Sequence, residues 1–343
     1  MPELPLYPLK LAPIYKAKVW GGRRMESLNR MLPDGDIGES WELADLASTS
    51  ASGGGGGAER SVILNGHLAG RTLHDAMAEY GAELLGDLPL TPGGDFPLLV
   101  KFLDASDNLS VQVHPSPDYA AAHDDAHLKS ECWYVVAANV DAAIYKGIQE
   151  GTTPEQFRKA IADNTVEELM IRVPVEAGDF HYLPSGTCHA LGTGVLVTEV
   201  QTPSDTTFRV YDWGRTGREL HIDQAMQCID FGPLDASAYE PMTRVEGEHA
   251  VRTHLCSCDF FDVHRVEVQA DYISEASYDQ PVVWTVIQGS GAILAGSGAP
   301  DATFAAGQTM LIPPNLRHSR VTVHGPTVWL ESSFPQARNG KLA

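Results

Sequence analysis

The sequence predicts a mainly β chain with only a few short helices, and three observations point there. Val, Thr, Tyr and Trp recur in short runs bounded by Gly and Pro, the composition of half-buried strands. Helical periodicity is confined to a handful of segments. One spacing also occurs twice: Gly178, Pro184 and His189 in GDFHYLPSGTCH match Gly307, Pro313 and His318 in GQTMLIPPNLRH. A hairpin explains that spacing. Glycine allows the entry turn, apolar residues cross, proline stiffens the exit turn, and histidine starts the return strand facing inward.

Along the chain, LKLAPIYKAKVWGG reads as extended, broken at Pro13 and closed at Gly21-Gly22. In IGESWEL, Trp41 and Leu43 fall at period two, which puts them on one face. SGGGGGAE, Ser52 to Glu59, is a surface loop; a phosphate cradle needs a following Lys-Ser/Thr on a strand-to-helix turn. Thr72–Leu85 is a helix capped by Thr72, with Leu73, Ala76, Met77, Tyr80 and Leu84 recurring at helical spacing. FPLLVKFL is a buried strand. SVQVHP alternates, with Ser110, Gln112 and His114 on one face and Val111 and Val113 on the other.

Asp118–Lys129 is part loop and part helix, and ECWYVV is a strand. Thr153 and Gln156 form a capping box around Pro154, opening a helix with Phe157 and Ile161 inward and, after a break near Asn164, Leu169. VPVEAGDFHYLPSG and VLVTEVQ are strands around a turn. A helix over Ala225–Ile229 follows, then a linker over 232–248, then strand after strand to the end.

The 343 residues suffice for two domains. A hydrophobic content of 43% with 20% charged residues is that of a soluble globular chain. The net charge of −21 argues against nucleic acid and against an anionic membrane as partners. An anionic substrate must then be met by a few local Lys and Arg side chains. Five cysteines without regular spacing do not make a disulfide framework and fit a reducing compartment, the cytoplasm. Cys256 and Cys258 read as small core residues on a strand. No signal peptide is evident, and no apolar run approaches the ~18 residues of a membrane span.

The repeated hairpin resembles the second conserved motif of the cupin superfamily, whose fold is a jelly-roll barrel. That resemblance implies two cupin-type jelly-roll barrels in one chain. Residues 1–235 form a catalytic barrel with N-terminal strands and short helices, and residues 236–343 a degenerate, metal-free one. His114 and Glu131 precede His189, whereas the strand before His318, PVVWTVI, offers no ligand.

His114, Glu131 and His189 sit on three expected strands. Two imidazoles and a carboxylate suit Zn²⁺, Fe²⁺, Mn²⁺ or Co²⁺, with an open position for water or substrate. Gln112, on the face of His114, adds a carbonyl oxygen. A lone histidine is ordinarily a hydrogen-bonded core or surface residue. These are set apart by convergence on one barrel interior, with Lys129 and Arg209 near them in sequence.

FPLLVKFLDASDNLSVQVHP, KSECWYVV, GDFHYLPSGTCHAL, TEVQTPSDTTFRVYDWGR and the early WGG and IGESWEL together resemble the type I phosphomannose isomerases, in their short bacterial form. The resemblance covers most of the chain. It implies interconversion of mannose 6-phosphate and fructose 6-phosphate through a cis-enediol, with one Zn²⁺ per chain held by Gln112, His114, Glu131 and His189. It places the catalytic arginine at Arg209 in the D-x-x-x-R segment from Asp205, the active-site lysine at Lys129, and the serine before QVH at Ser110. Arg209 then meets negative charge on a carbonyl oxygen. Asp205 orients Arg209 or shuttles a proton, and Lys129 holds the phosphate or acts as a base. Ser110, Gln112, Lys129 and Arg209 contact substrate. The SGGGGGAE insertion and Ser130, where Thr is frequent, depart from the family pattern. The implied partner is a small sugar phosphate, bound by a monomer or homodimer. Two rivals share the ligand set: another metal-dependent cupin enzyme such as an iron dioxygenase, and a non-enzymatic sugar-binding cupin.

Overall fold

Strands with alternating apolar residues must bury one face against a second layer. The computed structural model describes residues 6–335 except 51–53, 234–241, 246–248, 271, 297 and 317, and contains two such sandwiches. In the first, a six-stranded sheet runs in the order Phe180–Leu183, Glu131–Ala138, Val195–Gln201, Leu99–Ala105, Ile37–Leu43, Ile14–Gly22. The facing five-stranded sheet runs Met170–Pro174, Ala143–Ile148, His189–Leu191, Val111–Val113, Phe208–Tyr211. Their inner faces meet in an apolar cluster that includes Leu103, Trp133, Val197, Ile144 and Leu191. Helices Pro154–Asp163 and Ile222–Cys228 cover the outside of the five-stranded sheet, where Val111, Val113 and Phe208 pack with Phe157 and Ala225. The alternation expected for SVQVHP follows directly: its valines face the helices and its polar residues face inward.

The second sandwich has seven- and four-stranded sheets around Trp284, Phe304 and Trp329. It packs on the outer face of the six-stranded sheet through Val100, Cys132 and Tyr182. Leu9–Lys10 pairs with Thr309–Ile312, so the N-terminal strand joins the C-terminal sandwich. The expected boundary at 235/236 lies outside the described residues. Within the expected linker, Met242–Val245 is a strand paired with Ala250–Ser257.

Local signals fared well where hydrogen bonds are local. The Thr153–Gln156 capping box is present, and Asn164 ends that helix in the left-handed region. Thr72 accepts from the Asp75 N–H at 3.1 Å to cap Leu73–Leu85. Cys256 is buried on its strand, but Cys258 lies just beyond the strand's end and is half-buried.

The period-two expectation for Trp41 and Leu43 fails. Trp41 pairs with Lys101 and Leu43 with Val100, so Glu42 is the extra residue of a bulge and the two side chains face opposite ways. Glu42 instead accepts Arg30 in a two-pronged ion pair.

The repeat is structural in its first half. Gly178 (φ +100°) and Gly307 (φ +81°) both make left-handed entry turns. His181 pairs with Trp133 and Met310 with Trp284; Leu183 pairs with Glu131 and Ile312 with Val282. Val282 therefore holds the register position of the Glu131 carboxylate. The second half differs. His189 opens a strand and is buried, whereas His318 is an exposed turn residue at φ +63°, and its strand starts at Arg320.

Candidate metal centre

Antiparallel register lines up the site. His189 pairs with Gln112, and Gln112 with Arg209, so all three face inward from one sheet. Glu131 begins a strand of the opposite sheet. The ligand atoms of His114, Glu131 and His189 lie within 4.8 Å of one another, and all three residues are buried.

The histidine tautomers follow from their partners. Nδ1 of His114 lies 3.0 Å from the Thr206 carbonyl and Nδ1 of His189 2.8 Å from the Thr187 carbonyl. A carbonyl only accepts, so each Nδ1 carries the proton and each Nε2 presents a lone pair. Nε2 of His189 faces Oε1 of Glu131 at 3.3 Å, and Nε2 of His114 faces Oε2 at 3.4 Å. The Lys129 ammonium bridges Glu131 Oε2 and His114 Nε2, but Oε1 is buried without a hydrogen-bond partner against the His189 lone pair, and that acceptor turned on an acceptor calls for a further cation. Burial, reinforced by nearby cations, pushes the His114 pKa well below its usual range and that of His189 to about 4, so both rings are neutral, as metal ligation requires. The donor set therefore fits a divalent metal.

The other expected residues are placed as follows. Gln112 points its amide nitrogen at His189 Nε2, 3.4 Å away; a turn about its last bond presents the oxygen instead. Lys129 is 3% exposed, with Nζ bonded to Glu131 and 3.0 Å from His114 Nε2. Burial lowers its pKa to about 7. It stands among the ligands. Arg209 donates from Nε to Ser110 Oγ (3.2 Å) and from an Nη to the Glu219 carbonyl (2.8 Å).

Asp205 does not orient Arg209 in this structure. Its carboxylate accepts from the Ser50 N–H and hydroxyl and from the Gly54 N–H, at 2.8–3.0 Å. The glycine-rich segment, of which Ser52 and Gly53 lie outside the described residues, is thus tied to the segment carrying Thr206.

A row of alternating charges, half-buried at Lys18 and Glu39 and buried at Lys101 and Glu199, escaped the sequence reading. Lys18, Glu39, Lys101 and Glu199 cross the six-stranded sheet toward Lys129, at 3.1 Å for Lys18–Glu39, 3.2 Å for Lys101–Glu199 and 3.9 Å for Lys129–Glu199. Burial resists ionisation of Glu199, but Lys129 and Lys101 overcome it and hold its pKa near 2. The signal was present: Lys101 in FPLLVKFL and Glu199 in VLVTEVQ are lone charges in apolar runs, and such residues are rarely buried without a partner.

Two other features look site-like. Asp45, His74 and Asp95 also cluster, but Arg60 and the Phe96 N–H already attend Asp45. A cavity of about 400 Å³ lined by Lys10, Arg30, Asn65 and Gln308 contains none of the ligands above. Donor chemistry, not cavity size, locates the centre.

Fold and site together define a two-barrel, cupin-type protein with a buried His–Glu–His centre. Residues 9–135 match the family model of phosphomannose isomerase type I, catalytic domain. The Mannose-6-phosphate isomerase of Streptococcus mutans is 37% identical over 295 residues, covering 84% of this chain and 87% of its own. Mannose-6-phosphate isomerase ManA of Bacillus subtilis is 34% identical over 316 residues, covering 90% and 94%. A crystal structure of the mannose 6-phosphate isomerase from Bacillus subtilis matches with a TM-score of 0.82 at 28% identity, over 95% of this chain and 99% of that one. The chain belongs to the type I phosphomannose isomerase family.

Proposed function

We propose that this protein is a zinc-dependent mannose-6-phosphate isomerase, interconverting mannose 6-phosphate and fructose 6-phosphate through a cis-enediol. The observation that carries this reading is the convergence of His114, Glu131 and His189 inside the first barrel of a chain of this family. Gln112 is the fourth ligand we assign. Zinc, when bound there, supplies Lewis-acid stabilisation of negative charge on the substrate oxygens.

The chain's own residues do the rest. Arg209, preorganised by Ser110 and the Glu219 carbonyl, presents a guanidinium to the oxygen on which charge develops. Lys129, shut away from bulk water, carries the proton between C2 and C1. Asp205 is a positioning residue that ties Ser50 and Gly54 to the segment whose Thr206 carbonyl sets the His114 ring. Residues 1–235 form the catalytic unit and 236–343 the structural one. The five free cysteines support a reducing, cytoplasmic setting.

The test is a coupled assay on mannose 6-phosphate before chelation, after it, and after zinc is restored. Activity should vanish and return. Turnover indifferent to chelation, or none with zinc-loaded protein, ends the reading.

A further inference from the structure

The isomerase reading leaves the phosphate unaccounted for, because Lys129 is buried among the ligands. The same sheet offers another cation. Lys146 is the cross-strand partner of His189 on the side away from Gln112. Neighbouring strands lie about 4.8 Å apart, so Lys146 and Arg209 flank the His189–Gln112 pair, one strand spacing to either side. Lys146 faces inward, two residues beyond Ile144 of the inter-sheet core. His181 also faces inward, paired with Trp133, whose ring lies 5.4 Å from that of His189.

Exposure separates the two sides. Ser110 and Arg209 are 3% and 6% exposed, whereas Gln112, Lys146 and His181 are only half-buried. The mouth of the barrel therefore opens on the Lys146 side. Among the described residues, the Lys146 ammonium makes no hydrogen bond or ion pair, and His181 Nε2 is buried without a hydrogen-bond partner. Such an ammonium lacks a counter-ion that a phosphate dianion supplies.

We propose that Lys146, with His181 beside it, binds the phosphate group of the sugar substrate at the barrel mouth, leaving Arg209 to the reacting end. The proposal rests on the isomerase reading for the identity of the sugar, but not for the anion.

The test uses zinc-loaded wild type, K146M, K146R and H181F. Removing one charge-assisted hydrogen bond corresponds to a rise of about tenfold or more in KM for mannose 6-phosphate in K146M, with kcat lowered less than about threefold. Inhibition by inorganic phosphate weakens in parallel, K146R recovers most of both effects, and H181F shows a smaller rise in KM. Unmoved KM and unmoved phosphate inhibition in folded K146M overturn the proposal. Should K146M not fold, wild-type crystals soaked in inorganic phosphate decide: density at Lys146 supports the proposal, and density only at Arg209 and Ser110 overturns it. If wild type turns over no mannose 6-phosphate, the isomerase reading fails while phosphate binding still tests Lys146.

Discussion

The indole N–H of Trp133 donates to the Glu199 carboxylate at 2.9 Å across neighbouring strands. That bond holds an acid that pairs with Lys101 at 3.2 Å and lies 3.9 Å from Lys129. The second barrel keeps the register, Trp284 opposite Glu331, but not the bond: the Trp284 indole donates to the Tyr278 hydroxyl, and Glu331 accepts from Tyr278 and Trp329 and pairs with Arg252 at 2.9 Å. The Trp-opposite-Glu register is thus part of the barrel's construction, whereas the indole–carboxylate bond belongs to the first barrel.

Glu199→Gln should keep the shape and remove the charge. Breaking a buried ion pair by neutralising one partner costs on the order of 3 kcal/mol, because the other charge is left without compensation. Urea midpoints of wild type and variant check this. Equal midpoints would show that the lysines need no counter-charge.

Acid should expose the same group. A carboxyl whose folded pKa is depressed contributes stability that is complete above its ordinary value of 4.5 and is lost as pH falls toward about 2. Between those limits, wild-type stability should fall more steeply than that of Glu199→Gln. Parallel curves would assign the acid sensitivity to other carboxylates.

His189→Ala removes one ligand and the ring facing Glu131. Metal content and isomerase activity should disappear together. A purified variant that retained both zinc and turnover would refute the ligand assignment.

Arg209→Ala should bind metal normally and melt near the wild-type temperature. Its kcat should fall by about two to three orders of magnitude, the usual cost of losing a preorganised charge donor. A near-normal kcat takes Arg209 off the catalytic list.

What could be read in advance was local. Alternation in SVQVHP fixes which face Ser110, Gln112 and His114 share, whatever lies opposite. The Gly178–His189 spacing describes a turn and its two strands. The Thr153 capping box closes within four residues. Glu42 shows the limit: at its bulge the side chain pairs with Arg30, and nothing in IGESWEL reports Arg30.

Asp205 illustrates the same limit within the site. Its place in D-x-x-x-R suggested Arg209, four residues away, yet its partners are Ser50 and Gly54. His318 kept the repeat's spacing but sits on an outward turn, and the Lys101–Glu199 ion pair joins neighbouring strands that lie far apart in the chain. From the sequence alone came the mainly β class, the repeated hairpin and the His114, Glu131, His189 trio. Which of those side chains meet, and that Lys146 is half-buried beside His189 while Lys129 is buried among the ligands, were decided only in three dimensions. Periodicity says which way a side chain points, whereas contact depends on the register between strands far apart in the chain.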